Sequence, residues 1–109
     1  MRYLLFALLC SAAASAQLTD GKVELLTDKN NFAEGPLYLP DGKWIFSDVT
    51  KNGIFYTDNT EFRRPSNGAN GLTLDHQGRL IACESTRHSI TRTEKDGSIT
   101  VLADSYNGK

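Results

Sequence analysis

The sequence is poor in cysteine, in histidine and in charge of one sign. It has two cysteines, Cys10 and Cys83, and two histidines among 109 residues, and neither type recurs at the spacing of a zinc site. The formal net charge is -1, so nothing favours nucleic acid or an anionic membrane surface as a partner. Helical periodicity is absent after residue 16. These absences leave a β-structured domain that no zinc ion holds together.

One long apolar run is present, over residues 3–10 near the N-terminus. Arg2 precedes this run, and the small residues Ala14-Ser15-Ala16 follow it before Gln17. This order is typical of a signal peptide over residues 1–16, followed by export to the periplasm or the medium. A transmembrane anchor would need about 20 apolar residues. A lipoprotein signal would need a small residue in place of Leu9, so we expect no membrane association after cleavage.

Cleavage would leave Cys83 as the single cysteine of residues 17–109, so the mature domain could form no internal disulfide. Cys83 lies in the apolar run 80–83, and we expect it to be a buried, inert thiol. Trp44 and Phe46 are expected to pack between sheets, because bulky side chains are needed there. The fold is therefore expected to depend on packing alone.

An internal repeat of 36 residues runs through the rest of the chain. In the 27 positions from 34 to 60, this shift gives six identities and four matches of charge sign with positions 70 to 96. The turn glycines Gly42 and Gly78 coincide, and so do the acidic residues Asp48 and Glu84. The two segments are therefore predicted to be two copies of one structural unit.

Each unit is predicted to form four short strands separated by turns rich in glycine, aspartate and asparagine. The predicted strands are 37–39, 44–47, 53–57 and 61–64 in the first unit, and 72–74, 79–83, 89–93 and 98–102 in the second. Four-stranded units at a period near 40 are typical of a β-propeller, an all-β fold in which one sheet cannot bury its faces alone. A closed ring needs about four to eight such blades. The chain is therefore expected to hold two N-terminal blades of a larger propeller.

Residues 22–26 are predicted to form a further strand, because they match the outer strand of the second unit, Val23 with Ile99 and Leu25 with Val101. In propellers such an N-terminal strand usually closes the ring as the outermost strand of the last blade. We therefore expect residues 17–109 to be the N-terminal part of a propeller domain, in a protein of roughly 300 residues if six blades of this period are assumed.

Glu34 and Asn70 occupy the same position in the two units, ahead of the first predicted strand. Pro36 fixes its own φ and keeps Gly35 out of the α region, so the chain turns sharply after Glu34. In a propeller this position points into the central channel, where carboxylate and amide oxygens can bind a hard cation such as Ca²⁺ or Mg²⁺. The residues alone leave alternatives open. Glu34 could be solvated or cap a turn, and Asn70, ahead of Gly71, could be a plain turn residue.

Four other polar residues have structural interpretations. His76 and His88 fall in predicted loops and are expected to be solvated. Asp48 and Glu84 are expected to accept hydrogen bonds from backbone amides at the corners of the sheets. None of the four is predicted to take part in chemistry.

Four stretches of the mature chain carry a distinctive pattern. They are Phe32-x-Glu34-Gly35-Pro36, Leu39-Pro40-Asp41-Gly42-Lys43-x-x-Phe46-Ser47-Asp48, Asn70-Gly71-Leu72-Thr73-Leu74-Asp75-x-x-Gly78-Arg79-Leu80-x-Ala82-Cys83-Glu84 and Thr91-Arg92-Thr93-x-x-Asp96-Gly97-Ser98. Together they resemble the gluconolactonase and senescence-marker-protein (regucalcin-like) family over nearly all of the mature chain. The resemblance implies a six-bladed propeller with one divalent metal ion in its channel, Ca²⁺ in the first place and Zn²⁺, Mg²⁺ or Mn²⁺ as alternatives.

By the same resemblance, Glu34 is the first metal ligand. Asn70, at the equivalent position of the second unit, is expected to be a substrate-binding residue. The remaining ligands and the catalytic residues are expected beyond Lys109. Residues 17–109 alone are therefore expected to be inactive. The implied reaction is hydrolysis of a sugar lactone, in which the metal polarises the ring carbonyl and activates water. A different class is also possible on this pattern, because NHL-type propellers share part of it and often act as binding modules without enzymatic activity.

Overall fold

The computed structural model describes residues 21–109, so the predicted signal peptide over 1–16 lies outside the described residues. The described part of the chain forms eight β-strands. They are β1 (Ala33–Tyr38), β2 (Trp44–Asp48), β3 (Gly53–Tyr56), β4 (Glu61–Arg63), β5 (Ala69–Leu74), β6 (Leu80–Glu84), β7 (Ser89–Thr93) and β8 (Ile99–Ala103). Residues 21–109 contain no helix of the length and apolar character that a membrane crossing requires.

The strands form two separate antiparallel sheets. β1 to β4 make the first sheet in sequence order, and β5 to β8 make the second in the same way. A four-stranded antiparallel sheet with consecutive strands side by side is the repeating unit of a propeller. The prediction of an all-β chain with two four-stranded units is therefore confirmed.

The repeat in the sequence is also a repeat in the backbone. β5 and β6 begin and end 36 residues after β1 and β2. Both first strands carry a bulge near their start. Asn52 and His88, which are also 36 residues apart, both adopt a φ of 51° in the turn after the second strand of their sheets. Turn residues at equal spacing thus adopt the same backbone conformation in the two sheets.

The first strand of each sheet begins earlier than predicted, whereas the other six agree within one residue at each end. β1 begins at Ala33, because Ala33 and Glu34 already pair with Asp48 and Ser47 on β2. The bulge then takes up residues 35–36, of which the proline has no N–H group for a regular ladder. Glu34 consequently lies inside a paired strand and not in a turn ahead of one.

The hydrophobic core lies between the two sheets. Ile45 and Ile54 of the first sheet have no exposed surface, and they form one buried cluster with Ala69, Leu80 and Ala82 of the second. These side chains hold the two sheets face to face. As a result, the N-terminal ends of β1 and β5 lie close together.

Two packing predictions are wrong for this interface. Trp44 and Phe46 do not fill the space between the two sheets, because side chains alternate along β2 and Ile45 occupies that face. Trp44 is 42% exposed and packs against Tyr38, with ring centroids 5.1 Å apart. Cys83 is exposed and not buried, because alternation turns it to the face of the second sheet opposite the core.

The segment 22–26 is not in a strand in the structure. None of the eight strands formed by residues 21–109 pairs with it, and Val23 is 99% exposed and Leu25 76%. A strand needs a neighbouring edge to satisfy its backbone groups, and this segment has no such edge here. Its ring-closing role stays a prediction.

Candidate functional site

The first strands of the two sheets, β1 and β5, are in contact at their N-terminal ends. An alanine Cβ at Gly35 would lie 2.0 Å from the backbone carbonyl oxygen of Asn70, so the two backbones are in direct contact. Gly35 also has a φ of +58°, a left-handed conformation that glycine adopts at little cost. A residue with a side chain would violate both conditions. Glu34, which precedes Gly35, is therefore held next to Asn70.

Ser47 connects these two candidate residues. It is fully buried on β2, where it is the register partner of Glu34. Its Oγ donates a hydrogen bond of 3.0 Å to the backbone carbonyl of Asn70. One side chain thus joins the strand that pairs with Glu34 to the backbone that carries Asn70.

The side chain of Asn70 has an unsatisfied oxygen. Its Oδ1 is buried and has no hydrogen-bond donor among residues 21–109. A buried acceptor left unpaired costs about 1–3 kcal/mol, so this oxygen would be stabilised by a cation or by a donor group on a ligand. Asn30, Ser89 and Thr93 also carry a buried side-chain oxygen without a partner in residues 21–109. Asn70 also borders an open groove of about 750 Å³ on the second sheet.

The carboxylate of Glu34 is partly exposed. Within residues 21–109 it has no side-chain hydrogen bond and no ion pair. Its oxygen atoms are therefore available as acceptors for a group outside this part of the chain. The two oxygen-bearing side chains at the meeting point are both without a partner.

Asp48, unlike Glu34, is a buried carboxylate whose oxygen atoms accept several hydrogen bonds. It accepts hydrogen bonds from the backbone N–H groups of Asn31, Phe32 and Lys51 and from the hydroxyl of Thr50. Burial acts to raise the pKa of Asp48, but these hydrogen bonds outweigh it and hold the pKa below its ordinary value. The prediction that Asp48 binds backbone amides is confirmed, and the amides of Asn31 and Phe32 belong to the segment that leads into β1.

Glu84 is the counterpart of Asp48 in the second sheet, and its partners are different. It forms an ion pair with Arg63 of the first sheet and accepts hydrogen bonds from Thr91 at 2.6 Å and Asn67 at 2.8 Å. Burial acts to raise its pKa, but the bonds from Thr91, Arg63 and Asn67 outweigh it and hold the pKa of Glu84 below its ordinary value. The predicted backbone-amide role is wrong here, because the preceding sheet places an arginine within reach.

The two histidines lie at opposite ends of the second sheet. His76 is in the turn between β5 and β6, far along the strand from Asn70, and it is exposed. His88 is in the turn between β6 and β7, at the same end as Asn70, and it is also exposed. Both fit the prediction of solvated loop histidines.

The chemistry of Glu34 and Asn70 fits a hard cation only in part. Both offer oxygen atoms, which is the donor type that Ca²⁺ and Mg²⁺ prefer, but Ca²⁺ takes about 6–8 of them. Among the residues that the structure describes, no group of three or more His, Cys, Asp or Glu side chains could hold a metal ion. This part of the chain could supply a minority of the ligands.

Sequence reasoning missed Ser47 and Arg63 altogether. Alternation along β2 could have placed Ser47 on the same face as Ile45. Nothing in the sequence indicated that the acceptor of its hydrogen bond would be 23 residues away. The partner of Arg63 is likewise set by the packing of the two sheets.

The fold and the contact between the first strands define a class of protein. Repeated four-stranded antiparallel sheets whose first strands converge are typical of β-propellers. Two solved structures of virginiamycin B lyase from Staphylococcus aureus are similar, with TM-scores of 0.55 and 0.53 and identities of 19% and 21%. They cover 71% and 70% of this chain, which in turn covers 28% of each of them. At this level of identity the likeness concerns the fold alone.

Two other solved structures are more similar to this chain in sequence. A structural-genomics target proposed to be a gluconolactonase has 37% identity and a TM-score of 0.68, over 77% of this chain and 31% of its own. A gluconolactonase from Xanthomonas campestris, described as important in glucose secondary metabolic pathways, has 28% identity and a TM-score of 0.70. The match covers 77% of this chain and 30% of that protein. The resemblance to the gluconolactonase family is therefore confirmed, and the chain spans less than a third of these relatives. No family model and no curated protein sequence matches the chain.

Proposed function

We propose that this chain forms the first two blades of a metal-dependent hydrolase of sugar lactones. The similarity to two gluconolactonases supports the substrate class. The observation that carries the proposal is the contrast between two kinds of polar side chain. Asp48 and Glu84 are saturated with hydrogen bonds, whereas Glu34 and the Oδ1 of Asn70 have no partner in residues 21–109 although their strands are in contact.

In this proposal Glu34 contributes an anionic oxygen to one divalent cation, Ca²⁺ in the first place and Zn²⁺, Mg²⁺ or Mn²⁺ as alternatives. A cation bound there would supply Lewis-acid polarisation of the lactone carbonyl and a more acidic water molecule. Asn70 faces the substrate, where its buried Oδ1 accepts a hydrogen bond from a sugar hydroxyl. Ser47 and Gly35 hold Glu34 and Asn70 in place relative to each other.

The whole protein in this proposal is a six-bladed propeller of which residues 17–109 are the N-terminal part. Further blades supply the other metal ligands and the general base, since two oxygen donors are far fewer than the 6–8 or so that Ca²⁺ takes. Residues 22–26 complete the last blade as its outer strand. Residues 1–16 direct export to the periplasm or the medium, and residues 17–109 alone have no lactonase activity.

The test uses the full-length protein, meaning the complete translation product that contains this chain. Ca²⁺, Mg²⁺, Mn²⁺ and Zn²⁺ are titrated into wild type and Glu34→Gln while hydrolysis of gluconolactone and other sugar lactones is followed. Glutamine keeps the size and one carbonyl oxygen but removes the charge, so we expect metal affinity to fall about tenfold or more, and turnover with it.

The matched control is Glu61→Gln. Glu61 lies on the outer strand of the same sheet, and its side chain is 52% exposed, so its loss should change neither metal affinity nor turnover. Equal metal affinity and equal rates in wild type and Glu34→Gln would contradict the proposal. Absence of any lactonase activity in the wild-type protein would favour a binding propeller of the NHL type instead.

A further inference from the structure

The hydroxyl of Ser47 is a polar group beside the hydrophobic core between the sheets. Ser47 is fully buried on the same face of β2 as Ile45, which belongs to the hydrophobic core. A buried hydroxyl without a partner would be destabilising. The hydrogen bond of 3.0 Å to the backbone carbonyl of Asn70 satisfies it. The serine is therefore tied to one particular group across the interface.

The carbonyl of Asn70 is constrained by two residues of the first sheet. The Ser47 hydroxyl donates a hydrogen bond to it, and Gly35 approaches so closely that a Cβ would be 2.0 Å away. A carbonyl held in this way fixes the peptide plane that follows the Asn70 Cα. The direction in which the Asn70 side chain leaves the strand is set by the same Cα, so the Ser47 hydroxyl constrains the start of the side chain that carries the unpartnered Oδ1.

In the second sheet, the position equivalent to Ser47 carries a different side chain. The residue 36 positions later is Cys83, which lies on the opposite side of the second sheet and is exposed. A thiol is a weak hydrogen-bond donor, whereas a hydroxyl is a strong one. The strong donor is thus placed at the strand beside Glu34, the candidate metal ligand.

We infer that Ser47 is a positioning residue of the site, which holds the Asn70 carboxamide at a fixed distance from Glu34 so that it can bind the lactone. This inference rests on the proposed function. It goes beyond that function because Ser47 acts through the backbone of Asn70 and touches neither cation nor substrate. Its removal should weaken substrate binding and leave the cation in place.

The experiment compares Ser47→Ala, Ser47→Thr and Asn70→Ala in the full-length protein. We expect Ser47→Ala to raise KM for the sugar lactone about tenfold, with kcat and metal affinity changed by less than about twofold. Ser47→Thr keeps the hydroxyl and should restore a KM close to that of wild type. Because Ser47 acts through Asn70, adding Ser47→Ala to Asn70→Ala should raise KM no further.

A structural control separates positioning from general destabilisation. Thr91→Val removes a buried hydroxyl that donates to Glu84 at 2.6 Å, so it should lower the melting temperature and leave KM unchanged. If Ser47→Ala fails to fold, Ser47→Cys replaces it, and an intermediate rise in KM is expected from the weaker thiol donor.

Three outcomes would overturn the inference. An unchanged KM in Ser47→Ala (or in Ser47→Cys, if that variant replaces it), while Glu34→Gln loses activity, would reject the role of Ser47 and leave the proposed function standing. Additive effects of the Ser47 and Asn70 substitutions would reject action through Asn70. Retention of full activity and metal affinity by Glu34→Gln would reject the proposed function, and this inference with it.

Discussion

Gly35 illustrates how much one residue can constrain at this site. Its φ of +58° and its contact with the Asn70 carbonyl are separate demands, and each of them alone favours glycine. The Glu34-Gly35-Pro36 pattern therefore has a steric cause at its central residue. The carboxylate can stand beside Asn70 because the next residue has no side chain.

We expect Gly35→Ala to be more destabilising than an alanine at another left-handed glycine. A left-handed alanine costs about 1–2 kcal/mol, and at Gly35 the Cβ would also displace the Asn70 carbonyl. Gly78 is the matched control, since it has a φ of +74° and a Cβ added there would meet nothing within 4 Å. Urea unfolding of the full-length variants measures the difference. Equal losses of stability at the two positions would show that the contact with Asn70 is not restrictive.

At the level of strands and sheets, the ion pair between Arg63 and Glu84 connects β4 of the first sheet to β6 of the second. The two side chains are 9% and 0% exposed, so water screens the pair very little. Thr91 and Asn67 satisfy the remaining capacity of the carboxylate. The ion pair thus adds a specific polar contact between two blades whose shared core is apolar.

Arg63→Ala should destabilise the full-length protein by about 3–5 kcal/mol, because it leaves the Glu84 carboxylate buried without its counter-charge. Lys43→Ala is the control, since Lys43 pairs with Asp41 at 3.7 Å with side chains 63% and 54% exposed. Such an exposed pair contributes about 0–1 kcal/mol. Denaturant unfolding of both variants checks the contrast, and a small effect of Arg63→Ala would show that Glu84 can be resolvated.

The same carboxylate should make stability depend on acid pH. The pKa of Glu84 is lower in the fold than its ordinary value, so the folded state binds this proton less tightly than the unfolded state. The stabilisation is then complete above the ordinary glutamate pKa of about 4.3, and it is lost as pH falls below that value through the folded-state pKa.

We therefore expect the stability difference between wild type and Glu84→Gln to shrink when urea unfolding is measured from about pH 7 down to about pH 3. A difference that is constant with pH would mean that Glu84 titrates alike in the folded and unfolded states.

At the scale of the whole molecule, the second sheet has one face against the core and one face open. Cys83 and Ile90 lie on the open face, and the outer strand β8 exposes Ile99, Val101 and Leu102 by 37%, 38% and 46%. A propeller blade normally buries both faces against neighbours. Two blades by themselves leave this apolar surface in water.

We expect residues 17–109, produced alone, to melt over a broad range or to aggregate, because the open face and the unpaired edges lack the burial that neighbouring blades provide. Calorimetry on the isolated segment, with the full-length protein as reference, tests this expectation. A sharp cooperative transition in a monomeric sample would contradict it.

Much of the architecture could be predicted because it depends on local chemistry. The 36-residue repeat, the turn glycines such as Gly42 and Gly78, and the alternation of apolar residues act over a few positions. They were enough to identify two four-stranded units and to place six of the eight strands within one residue. The position of Glu34 and Asn70 as equivalents followed from the same repeat.

What the sequence by itself determined is therefore the type of fold, the number of sheets in this chain and the two candidate residues. Only the tertiary structure decided which groups they meet: Gly35 against the Asn70 carbonyl, Ser47 bound to that carbonyl, and Arg63 paired with Glu84. The physical reason is the difference in range. Turns and alternation depend on neighbouring residues along the chain, whereas these contacts join residues that are 21 to 35 positions apart and meet only when the two sheets pack.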